Sequence, residues 1–444
     1  MIMAGGGMFF SLIIGWELLS WRRFTYQVED NELRLQQGVF IRHRKFIPLE
    51  RIQTVDLTQG VLQRLFRVVT VRVETAGGLK SEAELAAVSI KDAELLRQKL
   101  LVNREPGTGE QDPASETAKV LSNRDLLVFG LTSGGSLGIA ISALSGGWAI
   151  FDDLNLDSNM HKFFEWIWVS GYALAFALCV IAVIWLLAFG GICALYGGFS
   201  LTRSEDRLQI AQGFLYRREV SIPIKRIQAV CLIEGILRQP FGYVTLQVES
   251  AGFATESSQK LLLWPLLPRN QVAGFLEEYL PEFARDFELK SLSPTAGRRY
   301  ILQFLLPLTL VALPLSLWFN WGKYALPFLP LSLLWGLWRY KDAAWSLNGD
   351  MLAVRFRILN RTTALIPRHR VQSFTLSRSP LQRRAGLANF GIPVAGAAFG
   401  LIHISESDGD RLLDWVNRSQ SRVNGHNGRR NGRPRQSQEN SPHR

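Results

Sequence analysis

The sequence predicts a membrane protein in which about five α-helical transmembrane spans alternate with three small β-barrel domains, each closed by a C-terminal helix. The first observation behind this fold class is a nine-residue motif that occurs three times, as IPLERIQTV, IPIKRIQAV and IPRHRVQSF at residues 47–55, 222–230 and 366–374. The second is that long uncharged apolar segments separate the three copies. The third is an alternation of apolar and polar residues inside each copy, with an amphipathic helical pattern after it.

Each copy of the motif belongs to a longer repeat. A shift of 175 residues aligns residues 24–77 with the second copy without gaps, and a shift of 319 residues reaches the third. Such self-similarity indicates one repeated structural unit, and the copies are far enough apart for each to have its own core. The proline, arginine and glutamine of the motif recur in all copies, as Pro48, Arg51, Gln53, Pro223, Arg226, Gln228, Pro367, Arg370 and Gln372.

Five apolar segments are predicted to be membrane helices. A spanning helix needs about 20 predominantly apolar residues, and residues 300–322, for example, contain no charged side chain. The first segment is expected to be an anchor and not a cleaved signal peptide, because no positively charged residue precedes its apolar core. The last is short and is interrupted by Pro327 and Pro330. The predicted spans are residues 1–21, 126–150, 166–196, 300–318 and 324–339.

The charges that flank the spans predict the orientation of the chain. The segment between the second and third spans carries four carboxylates against Lys162 alone, whereas Lys and Arg flank the domain side of the spans, as at Arg22 and Arg23. Because positively charged flanks stay in the cytoplasm, all three domains are expected there. The predicted domains are 22–103, 197–285 and 340–420, with linkers at 104–125 and 286–299, an external loop at 151–165 and a disordered basic tail at 421–444.

Inside the first copy the pattern predicts strands, one short helix and a closing helix. Apolar and polar residues alternate through Leu33 and Leu35, and EDNE and QQG mark hairpin turns. VLQRLF at 61–66 is typical of a short helix with its apolar residues on one face, and VVTVRVETAG returns to a strand. An amphipathic helix follows Ser89, a favourable N-cap residue. The other copies end in similar helical patterns, so each is expected to be a small β-barrel plugged at one end by a helix.

This strand order, with IPLERIQ followed by GVLQRLF and VTVRVETAG and alternating with pairs of spans, resembles the bacterial pleckstrin-homology-like (PH-like) domain family, which YdbS/YdbT-like membrane proteins carry in tandem. The resemblance extends to about residue 420. It implies three tandem PH-like domains in the cytoplasm of a bacterium, held at the inner membrane by a multi-pass anchor. It implies no established chemistry, although a link to resistance against membrane-active peptides has been proposed for some relatives.

The first repeat departs from the family pattern at one position. The family has glycine after LQRLF, and this chain keeps it as Gly242 and Gly386 but has Arg67 in the first repeat. If the position is left-handed, a residue other than glycine costs about 1 kcal/mol there. The first repeat is therefore expected to turn differently.

The repeated motif has two interpretations. Pro48 and its counterparts are expected to start a strand, where a missing N–H is tolerated, with Leu49 and Arg51 on one side of that strand and Ile52 on the other. In the first interpretation, the arginine and glutamine of the motif maintain the fold by packing along the barrel and bonding backbone groups. In the second, the arginine lies on a ligand-binding face.

Basic turns are the candidate contacts with the membrane surface. RHRK at 42–45 lies in a predicted turn of the first repeat, and the other repeats have basic residues at or near the matching turn. Each Lys or Arg close to an anionic lipid surface contributes about 1 kcal/mol, whereas the alternative is a solvated face. The candidate residues are Arg42, Arg44, Lys45, Arg217, Arg218, Arg355 and Arg357.

No pattern of catalytic or metal-binding chemistry was found in the sequence. The six histidines have no metal-ligand spacing, and there is no G-x-S-x-G motif or P-loop. Neither an enzyme nor a cofactor or metal site is therefore expected, and nucleic acid is not expected because the basic tail has no aromatic residue to stack on bases. The predicted function is a binding or scaffolding module for anionic lipids or for a protein partner, such as a sister PH-like membrane protein, with a connection to envelope stress. The alternative is a lipid-handling transporter built from the same parts.

Overall fold

A computed structural model describes residues 22–40, 42–75, 83–102, 118–133, 169–204, 206–250 and 261–428, together with Leu19 and Trp166. The chain divides into two compact units. The first comprises Met1–Ile227 with Ala251–Leu266, and the second comprises Gln228–Ser250 with Leu267–Arg444. The boundary between the units therefore falls inside the second repeat.

The first repeat has two three-stranded halves and a closing helix. Its elements are β1 (Thr25–Glu29), β2 (Glu32–Gln37), β3 (His43–Pro48), β4 (Ile52–Gln59), α1 (Val61–Leu65), β5 (Val68–Thr75), β6 (Ala83–Ser89) and α2 (Ile90–Val102). Leu33 and Ile47 from the first half, Val71 and Leu85 from the second, and Leu96 from α2 are buried in one core. The alternating pattern thus places the apolar side chains between the two halves, and the closing helix covers them, as predicted.

The second repeat begins before its predicted domain. Its elements are β7 (Ala118–Val120), α3 (Asn123–Thr132), α4 (Ala173–Tyr196), β8 (Ser200–Ser204), β9 (Arg207–Gln212), β10 (Arg217–Pro223), β11 (Ile227–Glu234), β12 (Tyr243–Ser250), β13 (Leu261–Pro268) and α5 (Val272–Tyr279). The strand β7 lies in the predicted linker 104–125 and pairs antiparallel with β8. The end of this linker is therefore part of a sheet.

In the third repeat, part of the predicted linker also belongs to a sheet. Its elements are β14 (Lys290–Ser291), α6 (Pro294–Trp318), α7 (Phe328–Asp342), β15 (Ala344–Asn348), β16 (Met351–Arg357), β17 (Arg361–Pro367), β18 (Thr375–Ser377), α8 (Pro380–Arg384), β19 (Leu387–Val394), β20 (Ala397–Ser405) and α9 (Glu406–Gly428). The strand β14 of the predicted linker 286–299 pairs with β15. The helix α9 continues through the first eight residues of the predicted disordered tail, and residues 429–444 lie outside the described part of the chain.

Strands of neighbouring repeats pair edge to edge. In the first unit, a seven-stranded sheet has the order β6-β5-β4-β10-β9-β8-β7, and β4 of the first repeat pairs antiparallel with β10 of the second. In the second unit, the order β12-β11-β17-β16-β15-β14 joins the second repeat to the third, and β11 pairs antiparallel with β17. We call these the first and second shared sheets. The predicted domains are therefore joined through their sheets, which the expectation of three separate barrels did not include.

The repeated proline ends a strand instead of starting one. Pro48, Pro223 and Pro367 are the last residues of β3, β10 and β17, with φ of −59°, −65° and −68°. The three residues after each proline form a single 3-10 turn. The predicted placement of Leu49 and Arg51 on one side of a strand is therefore wrong. Proline suits this position because its φ fits the turn and a strand end loses no ladder hydrogen bond.

Two of the described helices are long and apolar enough to cross a membrane, namely Leu178–Tyr196 within α4 and Pro294–Trp318, which is α6. The helix α7 has 15 residues, a length of about 22 Å, whereas the hydrocarbon core measures about 30 Å. It packs closely on α6, since a Cβ on Gly336 would lie 2.8 Å from Ile301 Cα. The remaining predicted spans, nearly all of 1–21 and most of 126–150, lie outside the described residues, as does the external loop 151–165.

The turn after the short helix has one conformation in all three repeats. Arg67, Gly242 and Gly386 have φ of 53°, 66° and 63°. The expectation that the first repeat turns differently is wrong, because Arg67 adopts the left-handed conformation that glycine adopts in the other repeats.

Candidate functional site

The first shared sheet is attached to the end of a candidate membrane helix. The hairpin between β9 and β10 carries Phe214, whose N–H donates to the carbonyl of Ala194 at 2.7 Å in the last turn of α4. The N–H of Gly213 donates to the carbonyl of Gly197 at 2.9 Å. Beside this hairpin lies α1 of the first repeat, because Arg64 Nη1 donates to the Phe214 carbonyl at 3.1 Å. This end of the sheet therefore lies at the end of α4.

The second shared sheet is attached to α7 in a similar place but by side chains. The Nε of Arg339, in the last turn of α7, donates to the carbonyl of Arg357 at 2.9 Å, where β16 ends and the hairpin to β17 begins. Arg357 also ion-pairs with Asp342, the last residue of α7. Its Nη2 donates to Gln239 Oε1 at 2.8 Å, in the short 3-10 turn that follows β11.

Large apolar side chains are exposed at both attachments. In each shared sheet they come from the hairpin and from the short helix or turn of the preceding repeat, and Phe66, Phe214, Phe241 and Ile358 are 72%, 67%, 71% and 70% exposed. Exposed apolar clusters of this kind mark contacts with partners or membranes. The first apolar patch comprises Leu62, Leu65, Phe66, Phe214 and Leu215, and the second comprises Leu237, Phe241, Ile358 and Leu359.

A buried ion network lies behind the second apolar patch. Arg361 of β17 forms a two-pronged contact with Glu234 of β11, in which Nε donates to Oε1 at 3.0 Å and Nη2 to Oε2. Its Nη1 also lies 3.5 Å from Asp342 Oδ1. Arg355 donates through Nε to the Asp342 carbonyl at 2.9 Å, and Arg357 ion-pairs with the Asp342 carboxylate. The network thus joins the second repeat, the third repeat and α7.

Two arginines of this network, Arg361 and Arg355, have pKa values that are shifted in opposite directions. Burial acts to lower the pKa of Arg361, but the hydrogen bond and charge of Glu234, with the charge of Asp342, raise it above the ordinary value. Burial lowers the pKa of Arg355, and the positive charge of Arg361 lowers it further.

The sequence matches a known family over most of its length. The profile of the bacterial PH domain matches residues 1–104, 161–282 and 294–420. The chain belongs to the bacterial PH domain family. It is 30% identical over 435 residues to the UPF0699 transmembrane protein YdbT of Bacillus subtilis (strain 168), covering 92% of this chain and 88% of YdbT. It is 32% identical over 80 residues to the UPF0699 transmembrane protein YdbS of the same strain, covering 18% of this chain and 46% of YdbS. The predicted membership is confirmed, and the three repeats are bacterial PH repeats.

Three of the predicted lipid contacts are engaged inside the protein. Arg355 and Arg357 belong to the ion network of the third PH repeat, and Arg357 is only 1% exposed. Arg218 lies 3.7 Å from the buried carboxylate of Asp56, across the joint between β10 and β4. Arg357 is too buried to reach lipid in this structure, whereas Arg218 and Arg355 are half-buried, and their contact with lipid stays a prediction.

The other predicted lipid contacts are accessible. Arg42, Arg44 and Lys45 are exposed at the start of β3 in the first PH repeat. Arg217 is exposed at the start of β10, where its Nε lies 2.9 Å from Glu219 Oε1. These four residues stay candidates for contact with anionic head groups.

The motif residues do not share one environment across the PH repeats. Arg51 is exposed, whereas its two counterparts are half-buried. Gln228 is buried in β11 and Gln372 is exposed, while the side chain of Gln53 lies outside the described part of the structure. The motif turn follows the end of β10 opposite to the hairpin 213–216, about 20 Å away for a strand of this length. The motif is thus remote from the apolar patches, and its two interpretations stay predictions.

Sequence reasoning missed the carboxylates of the ion network. Asp342 directly follows Arg339–Lys341, the basic end of the apolar segment 324–339, and Glu234 stands directly before Gly235, which starts the turn. A single acid inside a basic flank is a usable signal, because such a residue needs a paired cation when the helix end is buried. Its partners, however, come from strands that are distant in sequence.

Proposed function

We propose that this protein is a membrane-anchored binding and scaffolding module that holds its PH repeats against the cytoplasmic face of the bacterial inner membrane. The observation that carries the proposal is the attachment of each shared sheet to a helix of the membrane region. The hairpin at Phe214 is bonded to the end of α4, and Arg357 is bonded to the end of α7. Because backbone hydrogen bonds and a buried ion pair form these attachments, the same end of each sheet always faces the bilayer.

The arrangement of strands supports one common side for all PH repeats. β4 pairs with β10, and β11 pairs with β17, so strands from successive repeats are hydrogen-bonded to each other. Two strands can pair only if they lie on the same side of a membrane, which requires an even number of crossings between successive repeats. The basic flanks of the spans favour the cytoplasm as that side.

The two apolar patches are proposed to enter the head-group region of the bilayer. Complete burial of one Leu or Phe side chain contributes about 1.5–3 kcal/mol, so a few such residues give a firm contact. Arg64 of α1 and Arg67 after it lie next to the first apolar patch in sequence, and each basic residue at an anionic surface adds about 1 kcal/mol. Anionic phospholipids are therefore the expected surface.

Site-specific fluorescence in lipid nanodiscs tests this orientation. The full chain, with Cys179, Cys193 and Cys231 replaced by alanine, would carry an environment-sensitive fluorophore at Leu65→Cys. We expect emission typical of an apolar environment and strong quenching by lipids with a nitroxide on the head group. Both follow from insertion of the first apolar patch into the interface.

The matched control is the same fluorophore at Lys225→Cys, in the exposed turn beyond the far end of β10. This position is on the same sheet but about 20 Å further along the strand, so we expect aqueous emission and little quenching. Equal quenching at the two positions would contradict the proposed orientation, and aqueous emission at both would show that the patch does not contact lipid.

A further inference from the structure

The three PH repeats are connected by one kind of joint, used twice. The strand after the motif in one repeat pairs antiparallel with the strand before the motif in the next. In the first joint, Arg217 of β10 is opposite Gln59 of β4. In the second joint, Arg361 of β17 is opposite Glu234 of β11. The repeat shifts of 175 and 319 residues superpose these two registers, so the joint is a property of the repeat.

Among the described residues, this joint leaves one strand edge without a partner strand at each end of the series. β3 of the first repeat is the counterpart of β10 and β17, yet it is an edge strand of a three-stranded sheet within the described residues. β18 of the third repeat is the counterpart of β4 and β11 and is also an edge strand there. It has three residues where β4 and β11 have eight each. An open edge of this kind is a template for another strand.

Both internal joints place an arginine against a carboxylate. In the first joint, Arg218 of β10 lies 3.7 Å from Asp56 of β4. In the second, Arg361 of β17 contacts both oxygens of Glu234 of β11. In both joints, the arginine therefore comes from the strand before the motif, and the carboxylate comes from the strand after the motif. Opposite charges that face each other across a strand pair, as Arg361 and Glu234 do, stabilise the pair. In the first joint the same position pairs Arg217 with Gln59, and the ion pair is the diagonal one between Arg218 and Asp56.

The open edges have the wrong charges to join each other. By the repeat shifts, Arg42 is the counterpart of Arg361, and Arg378 is the counterpart of Glu234. If β3 of one copy paired with β18 of a second copy in the register of the internal joints, these two arginines would face each other. Because like charges directly opposite destabilise a strand pair, a second copy of this chain is disfavoured at the β3 edge.

We propose that the β3 edge is completed by the strand after the motif in a PH repeat of a different membrane protein, which carries a carboxylate opposite Arg42. The joint would continue the sheet as the internal joints do, with Arg44 available to a second acid. A partner anchored in the same membrane has a high effective concentration, so one strand pair is enough. Two transmembrane proteins similar to this chain, YdbT and YdbS, do occur together in one bacterium. The inference extends the proposed module and does not depend on its lipid contacts.

Charge exchange between two tagged copies of the full chain tests the joint with a defined probe. One copy would carry His43→Cys and the other Ser377→Cys, which the register of the internal joints places opposite each other, in a background free of the native cysteines. Each copy would be made with its own arginine and with glutamate, as Arg42→Glu in the first and Arg378→Glu in the second. The four pairs would be co-expressed and cross-linked in membranes with a short bismaleimide.

The expected yield is low for the two pairs with like charges, Arg–Arg and Glu–Glu, and about tenfold higher for the two pairs with opposite charges. Arg378 also pairs with Glu406 and Asp410 within its own copy, so Arg378→Glu changes more than the joint. The pair of Arg42→Glu with the unchanged Arg378 must therefore show the higher cross-linking yield by itself. A first copy with Asp30→Cys, in the turn between β1 and β2, is the control and should give no increase. Equal yields in all four pairs would overturn the joint, and a high Arg–Arg yield would show that the occupant is a second copy of this chain.

Discussion

The guanidinium of Arg357 has partners on several elements of the second unit. It ion-pairs with Asp342, donates to Gln239 Oε1 at 2.8 Å and to the Leu359 carbonyl at 3.1 Å, and lies 4.0 Å from the ring centre of Trp338. Because the side chain is fully buried, these partners replace the water that a charge otherwise needs. The pair with Asp342 thereby fastens α7 to the sheet.

Removal of the Asp342 carboxylate should therefore destabilise the second unit. We expect Asp342→Ala to lower the free energy of unfolding by about 3–5 kcal/mol, because it leaves a buried cation without its counter-charge. The matched control is Asp350→Ala, since that aspartate is exposed and lies 3.1 Å from Arg368, and its loss should cost about 0–1 kcal/mol. Denaturant titration of both variants in detergent gives the comparison, and equal losses would contradict a structural role of the network.

At the scale of single elements, the turn after the short helix shows how a shared conformation tolerates different residues. Gly242 has φ of 66° with no atom near an added Cβ, so a side chain there meets backbone strain but no collision. In the first repeat Arg67 adopts this strained backbone conformation, with φ of 53°.

The two positions therefore predict reciprocal effects. Arg67→Gly should raise the free energy of unfolding by about 1 kcal/mol, and Gly242→Ala should lower it by a similar amount. Thermal melts of the full chain with each variant measure both shifts. If Arg67→Gly is instead destabilising, the Arg67 side chain makes contacts that outweigh the relief of strain.

Elements with local signals were predictable from the sequence. The alternation at Leu33 and Leu35 marked buried positions, and Ser89 caps α2, since its Oγ accepts from the Asp92 N–H at 3.2 Å. The proline of the motif was placed at the wrong end of its strand, because the missing N–H is tolerated equally at either end. The helix at Val61–Leu65 was predicted, but its apolar face is exposed. Periodicity identifies an apolar face without revealing what covers it.

Pairing between repeats could not be predicted, and the candidate site depends on it. β3 and β10 are counterparts with the same pattern, yet in the described part of the chain β10 has a partner strand on both edges and β3 on one. The partner of β10 is more than one hundred residues away in sequence, beyond the reach of local propensity. For the same reason Arg355 and Arg357 looked like surface cations, although Arg355 donates to the Asp342 carbonyl and Arg357 ion-pairs with the Asp342 carboxylate at the end of α7.

At the scale of the whole molecule, the pairing of strands in the shared sheets limits the number of times that the chain can cross the membrane between repeats. β4 and β10 belong to successive repeats that are separated in sequence by α4 and the segment before it, and β11 and β17 are separated by α6 and α7. Each pair requires both its repeats on one side of the membrane. If α6 crosses the membrane, α7 has to return the chain, and its 15 residues suffice for that only if its ends extend into the interface.

The topology follows from these restrictions and from charge, and dual reporters can test it. Reporter insertions after Thr108 and after Arg444 should agree with each other whatever the orientation, because shared sheets allow only an even number of crossings between repeats. The basic flanks further predict that both are cytoplasmic, and that a reporter after Asn155, within the acidic segment 151–165, is external. Alkaline phosphatase, active only outside, and a fluorescent protein that folds inside would be inserted in turn at each position. Disagreement between Thr108 and Arg444 would exclude the strand pairing, whereas agreement with external activity at both would leave the pairing intact and reverse only the orientation.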